Sequence, residues 1–187
     1  MGGCLPSRDP ARLVGLNVES LQHPPPAADF SRLCSLLTEC VRAGASVGFV
    51  EPIDRGEVEA YWQRVCSEAS AGSRLILVVR EAEGGPVAGS AQLALESRPN
   101  GRHRAEVQKV MVFPELRRRG IADALLSAVE AAARERGVSL LFLDTSEGRG
   151  GATDFYSALA TAMPGEYPAM PSTRTGRPPR MPSTIGH

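Results

Sequence analysis

Hydrophobic residues near the start of the chain recur first with the period of a strand and then with that of a helix. Alternating apolar positions predict a strand over residues 13–20. Apolar residues three and four positions apart then predict an amphipathic helix that runs to about residue 43. Asp29 or Ser31 is its predicted N-cap, and Gly44 is its predicted stop.

A second helical pattern covers residues 54–71 and begins at Asp54, a residue suited to a helix N-cap. The connection before it, residues 45–52, is unusually apolar for a loop. Two interpretations of this connection stay open. It is either a loop packed on the core or a wall that faces a substrate.

The middle of the chain shows successive strands and then a strand–helix–strand unit. Apolar runs separated by Gly, Pro and Asn turns predict three strands, over residues 74–80, 86–96 and 104–113. A helix is predicted to begin near Arg119 and to end at Gly137. The continuous apolar run over residues 138–144 predicts a central strand that is buried on both faces and parallel to the strand before the helix.

The character of the sequence changes at about residue 160. Six prolines fall within the last 28 residues, among few aliphatic side chains, so this segment cannot form strands or a core of its own. We therefore divide the chain into a flexible leader (residues 1–12), one domain (residues 13–159) and a Pro-rich irregular tail (residues 160–187).

Composition narrows the classes of function. The 187 residues are 22% charged and 42% hydrophobic, a soluble profile, and their zero net charge argues against a general nucleic-acid binder. No apolar run approaches the roughly 20 residues of a membrane span, and the leader lacks a signal core, so the expected location is cytoplasmic. No metal site is expected, because the four cysteines show no CxxC spacing and no histidine at ligand spacing.

The candidate chemistry lies in the stretch VQKVMVFPELRRRGIA, residues 107–122. It is predicted to be a buried strand, a turn and the start of a helix, so its backbone N–H groups and the positive helix end can bind an anion such as a pyrophosphate. Gly120 has no side chain and lets a phosphate approach the backbone closely. The alternative for the arginine triplet is a solvated helix start.

The turn has neither a P-loop nor a Rossmann fingerprint. Its pattern is R-x-x-G-x-A, with a strand before it and a helix, a strand and a Phe-Tyr helix after it. This arrangement resembles the GNAT superfamily of acetyl-CoA-dependent N-acetyltransferases over residues 13–159. A closer likeness is to the tabtoxin-resistance type of bacterial acetyltransferase. It rests on AGASVGF, HRAEVQKVMV, RRRGIA, LDT and FYSAL.

The resemblance implies a mixed, mostly antiparallel α/β sheet with a central splayed parallel pair, flanked by helices. It also implies transfer of an acetyl group from acetyl-CoA to a primary amine of a small molecule, directly within a ternary complex and without a metal. A homodimer is left open. The alternative is a degenerate acetyl-CoA-binding protein with little or no transferase activity, because the C-terminal strands are expected to be missing.

The resemblance also implies which residues form the site. The pyrophosphate would lie on the turn, the pantetheine arm along the end of the preceding strand, and a backbone N–H of Met111 or Val112 would hold the thioester carbonyl. The implied cofactor-binding residues are Val110, Met111, Val112, Arg117, Arg118, Arg119, Gly120, Ile121 and Ala122. Glu106 is the candidate base and Tyr156 the candidate acid. The alternative for Glu106 is an exposed carboxylate on a strand without a catalytic role, and the alternative for Tyr156 is a half-buried aromatic residue of a helix.

The tail departs from the resemblance, since domains of this superfamily end with two more strands. Synonymous codons for residues 159–176, read one base earlier, encode GYRDAGRIPGYALDADG, which is the expected ending. We therefore predict that the tail is a frameshift product beginning at about Ala160. Resequencing the gene tests this, and codons incompatible with the alternate frame would refute it.

Overall fold

The computed structural model describes residues 16–142 of the chain. They form five strands and three α-helices. The strands are β1 (Asn17–Ser20), β2 (Arg74–Arg80), β3 (Val87–Leu95), β4 (Arg104–Val112) and β5 (Leu140–Phe142). The helices are α1 (Ala27–Arg42), α2 (Arg55–Ser70) and α3 (Ile121–Glu135), and a short 3-10 helix, Pro114–Leu116, separates β4 from α3.

The strands form one sheet in the order β1-β2-β3-β4-β5. The first three pairings are antiparallel, and β4 pairs with β5 in parallel from Arg104 opposite Leu140 to Glu106 opposite Phe142. A parallel pair needs a crossover connection, which α3 supplies. The predicted mixed, mostly antiparallel sheet with a parallel pair and flanking helices is therefore confirmed.

Helices cover both faces of the sheet and create two cores. On one face, α1 and α2 bury a cluster centred on Trp62, which is fully enclosed. On the other face, α3 packs its apolar stripe, including Leu125 and Val129, against β2, β3 and β4. The apolar connection between α1 and α2 also packs on the first core through Val47 and Phe49, which confirms the first interpretation of that loop.

A β-bulge interrupts β4. Ser90 of β3 lies opposite Met111, whereas Gln92 lies opposite Gln108, so two residues of β4 face one residue of β3. Lys109 lies at this point with a φ of 49°, in the left-handed region that non-glycine residues rarely adopt. The bulge therefore inserts one extra residue into β4.

The extra residue reverses which side chains of β4 face each core. Before the bulge, Val107 packs in the α3 core and Gln108 contacts Arg74 on the opposite face. After it, Val110 packs in the α3 core and Met111 in the α1–α2 core. An unbroken strand would have continued the odd-numbered side chains toward α3, because successive side chains alternate.

Three predicted details are wrong. Neither Asp29 nor Ser31 caps α1, because the helix begins earlier, at Ala27. The Asp29 carboxylate, inside the first turn, binds the Arg80 guanidinium instead. Helix α3 begins at Ile121 and not near Arg119, since Arg118 and Gly120 are left-handed and cannot join a right-handed helix. The described part of β5 is not buried on both faces as predicted. Phe142 is 46% exposed, because β5 is the edge strand of the described sheet.

Other predictions lie outside the described residues and remain predictions. They concern the leader, Tyr156, the last strands and the tail over residues 160–187. Among the residues that are described, Asp54 caps α2 as predicted, and its side chain accepts a hydrogen bond from the Glu57 N–H at 2.9 Å. Within residues 16–142, no helix combines the length and hydropathy that a membrane span requires.

A nearly buried ion pair joins the edge of the sheet to α1. Arg80 donates to both carboxylate oxygens of Asp29, at 3.0 and 2.7 Å, and its Nε donates to Glu19 on β1 at 2.7 Å. The side chains of Arg80 and Asp29 are only 11% and 12% exposed. Loss of Arg80 or Asp29 would leave the charge of the other residue unpaired and largely shielded from water.

We expect Arg80→Met to lower the free energy of unfolding by about 3–5 kcal/mol, the cost of leaving a buried charge unpaired. The matched control is Arg55→Met, because the Arg55–Glu59 pair is equally short at 2.8 Å but has side chains 90% and 39% exposed. Its loss should destabilise the protein far less, because solvent screens an exposed ion pair. Urea denaturation measures both variants, and equal losses would contradict the assignment.

Candidate functional site

The turn between β4 and α3 leads into a helix whose first N–H groups have no side-chain cap. Arg118 and Gly120 have φ angles of 65° and 81°, and no side chain caps the helix N-terminus at Gly120. The first bond into α3 runs from the Ala124 N–H to the Gly120 carbonyl at 3.0 Å. The N–H groups of the first turn before Ala124 therefore have no acceptor within the helix. With the positive helix end, these N–H groups are suited to binding an anion.

Two arginines of this turn, Arg117 and Arg119, act on residues outside it. Arg119 donates to Glu81 at 2.9 Å, but both side chains are about half exposed, so the pair contributes little. On the α1 side of the turn, the Cys40 thiol donates to the Val112 carbonyl at 3.4 Å. Burial raises the pKa of Cys40, and Arg117 opposes that rise. Arg117 therefore connects the turn to α1 and the end of β4.

Gly89 allows α3 to approach the sheet at this turn. A β-carbon at position 89 would lie 2.7 Å from the Met111 carbonyl oxygen and 3.1 Å from the Ile121 side chain. It would also lie 3.3 Å from Leu125. Because a real Cβ does not come within 3.0 Å of a backbone atom, only glycine fits here. Gly89 thus fixes the position of the anion site relative to β4.

Backbone alternation decides which N–H groups at the end of β4 point away from β3. The Phe113 N–H donates to the Ala88 carbonyl of β3 at 3.2 Å. Peptide groups two residues apart point to the same edge, so Met111 also faces β3, whereas Val110 and Val112 face the opposite edge. Of the two sequence candidates for a backbone donor, Val112 therefore has the suitable orientation.

A hydrogen-bonded polar network lies on the α1–α2 face, beside the bulge. Arg74 donates to Glu68 at 2.7 Å, to Gln92 at 2.9 Å and to Gln108 at 2.6 Å. Tyr61 of α2 exchanges hydrogen bonds with Gln92 at 3.1 and 2.9 Å. Gln92 is fully buried, and this network satisfies its polar atoms. We call the rigid surface formed by Arg74, Gln92 and Tyr61 the floor of the site.

Glu106 lies on the same face as this floor. It is half-buried in β4, two residues before Gln108, opposite Ala94 of β3 and Phe142 of β5. Phe142 and Val50 are the two large hydrophobic side chains that stay exposed in the described part of the chain. The candidate base is therefore partly exposed to solvent, next to the parallel pair of strands, on a surface that has both polar and apolar side chains.

Lys109 also reaches this surface. Its ammonium nitrogen lies 5.7 Å from the centre of the Tyr61 ring, and a β-carbon on Gly48 would lie 3.3 Å from it. Burial and the nearby Arg74 lower the pKa of Lys109, Glu106 raises it, and Arg64 lowers it. The bulge therefore places Lys109 on the same face of β4 as Glu106.

Sequence reasoning missed the roles of Lys109, Tyr61 and Gly89. One signal was available for the bulge: Ala105 and Val107 are two residues apart, as are Val110 and Val112, whereas Val107 and Val110 are three apart. No comparable signal exists for Tyr61 or Gly89, because their contacts depend on which elements pack together. Within residues 16–142, no cluster of His, Cys, Asp and Glu could hold a metal ion.

Comparison with known proteins adds an independent finding. Residues 32–160 match the model of the acetyltransferase (GNAT) family. An uncharacterised N-acetyltransferase from the hisH–hisA intergenic region of Azospirillum brasilense is 36% identical over 121 residues, which cover 64% of this chain and 69% of that protein.

Solved structures of acetyltransferases share the fold. The N-acetyltransferase of Staphylococcus aureus aligns with a TM-score of 0.61 and 16% identity, over 78% of this chain and 82% of the other. The PaiA N-acetyltransferase of Thermoplasma acidophilum, solved in complex with coenzyme A, also aligns with a TM-score of 0.61 and 16% identity, over 77% and 87% of the two chains.

We expect Gly89→Ala to lower the free energy of unfolding by roughly 1–3 kcal/mol, because the added methyl group collides with the Met111 carbonyl and with α3. Gly56→Ala is the comparison, since its methyl group would meet no backbone atom of another element and only the Asp54 carboxylate oxygen that caps α2, at 3.1 Å. That change should alter the stability by less than about 1 kcal/mol. Urea denaturation compares them, and a harmless Gly89→Ala would disprove the close approach.

Proposed function

The chain belongs to the GNAT family of acetyltransferases, and on this basis we propose that it moves an acetyl group from acetyl-CoA to a primary amine of a small molecule. The observation that carries the proposal is the uncapped, left-handed turn at the end of a bulged β4. This turn offers an anion site, and a half-buried carboxylate, Glu106, lies earlier on the same strand. One strand thus connects a phosphate site with a proton acceptor.

The turn fits the pyrophosphate of acetyl-CoA. The N–H groups of Ile121, Ala122 and Asp123 lack helical acceptors, and Gly120 has no side chain to block a phosphate. Arg117, Arg118 and Arg119 add positive charge, and all three are exposed. Acetyl-CoA supplies the acetyl group as a thioester, so the chain itself must orient that group and manage two protons.

We assign these roles to three further groups. The Val112 N–H, which faces away from β3, donates a hydrogen bond to the thioester carbonyl as charge builds on its oxygen. Glu106 accepts the proton that the attacking ammonium must lose. Tyr156, which lies outside the described residues, donates a proton to the departing thiolate, as the resemblance implies.

The test combines binding and turnover in the full chain. Isothermal titration should detect acetyl-CoA binding, and a thiol-release assay over a panel of primary amines should detect transfer. Glu106→Gln should lower kcat by on the order of 10²–10⁴, the contribution typical of general base catalysis, while acetyl-CoA affinity stays unchanged. Glu135→Gln is the control, because the Glu135 side chain is 77% exposed at the end of α3.

The outcomes are distinct. Binding of acetyl-CoA without thiol release for any amine would support a degenerate acetyl-CoA-binding protein. Absence of binding would reject both interpretations. Turnover that survives in Glu106→Gln at the wild-type rate would keep the acetyltransferase and remove Glu106 as the base.

A further inference from the structure

Lys109 is the single lysine in the 187-residue chain, and every other basic side chain besides the histidines is an arginine. It occupies the bulge position of β4 with a φ of 49°. A side chain here would face α3 in an unbroken strand, together with Val107. The extra residue turns Lys109 to the opposite face, beside Tyr61 and on the side of Gln108.

No carboxylate of the described residues forms an ion pair with Lys109. Glu106 attracts its ammonium group at longer range, and Tyr61 offers a ring face at 5.7 Å, near the outer limit of a cation–π contact. In the loop between α1 and α2, Gly48 lies close to the ammonium group and has no side chain. Among residues 16–142, the ammonium group therefore has no carboxylate within ion-pairing distance.

The charges around Lys109 do not balance. Arg64 of α2 and Arg74 of β2 are the other cations that act on it, and the carboxylates of this surface are Glu68 and Glu106. Glu68 is already occupied, since Arg74 donates to it at 2.7 Å and Arg64 lies 3.9 Å from it. Three cations and two carboxylates leave this surface with a net positive charge, and Lys109 is the one of the three cations without an ion pair among the described residues.

We propose that Lys109 binds an anionic group of the acceptor, so that the preferred acceptor is a primary amine that also carries a carboxylate or a phosphate. This inference rests on the proposed function. The acceptor amine lies at Glu106 and its anionic group at Lys109, three positions further along β4. An acceptor with a second ammonium group is disfavoured, because that group would meet Lys109, Arg64 and Arg74.

The test is steady-state kinetics with four small primary amines of similar size. All four carry one ammonium group and differ in the second group: a carboxylate in β-alanine, a phosphate in O-phosphoethanolamine, none in propylamine and a second ammonium group in 1,3-diaminopropane. The wild type should prefer one or both of the anionic amines, and the first two probes distinguish carboxylate from phosphate. Lys109→Met should lower kcat/KM for the preferred amine by about 10–100-fold, the effect of losing one hydrogen bond to a charged group.

Charge reversal and charge retention complete the series. Lys109→Glu should reverse the order, with 1,3-diaminopropane above β-alanine, whereas Lys109→Arg should keep the wild-type order. Propylamine is the internal control, since its kcat/KM should change least among the four amines. Thermal unfolding of each variant checks that the fold is intact. An unchanged order in Lys109→Glu would overturn the inference while leaving the acetyltransferase in place.

A direct binding measurement separates this inference from the proposed function. Because the chain has one lysine, protein labelled with ¹³C-lysine gives one set of lysine resonances, and Cε of Lys109 is identified without mutation. Titration with β-alanine or O-phosphoethanolamine should shift that resonance, and propylamine should not. If no amine is acetylated, the proposed function fails, and this titration still decides the inference: no shift with either anion overturns it.

Discussion

One extra residue in β4 determines how the rest of the site is arranged. Up to Gln108 the strand alternates regularly, and beyond Lys109 the alternation continues with the opposite parity. The bulge therefore puts Glu106, Gln108 and Lys109 on one face, although residues 106 and 109 would lie on opposite faces of a regular strand. The left-handed backbone at Lys109 costs energy, and the register of β3 on both sides of the bulge holds it there.

The cofactor half and the acceptor half of the site depend on different kinds of constraint. At the turn, backbone geometry dominates: two left-handed residues, Arg118 and Gly120, and the close contact at Gly89 set where the N–H groups point. On the α1–α2 face, side chains dominate. Arg74, Gln92 and Tyr61 satisfy one another's hydrogen bonds there, so the floor beneath Glu106 is fixed by a closed network.

Local sequence patterns predicted the elements well and their mutual contacts poorly. The Arg74–Arg80 strand and the Asp54 cap follow from periodicity and capping chemistry, which act over a few residues. The Arg80–Asp29 ion pair joins residues 51 positions apart, and no local rule announces it. The turn at Gly120 was predictable because a strand, a glycine and a helix are adjacent in sequence. Lys109 was not recognised, since its face depends on a bulge whose trace is one irregular spacing.

The connectivity of the sheet also has a consequence in time. Strands β2, β3 and β4 follow one another through short turns, so their pairings close small loops. The parallel pairing of β4 with β5 must wait for α3 to cross the sheet. We therefore expect the antiparallel hairpins to assemble first and α3 to dock later, against the bare backbone at Gly89. The bulge in β4 would then form during folding before the anion-binding turn has acquired its final shape.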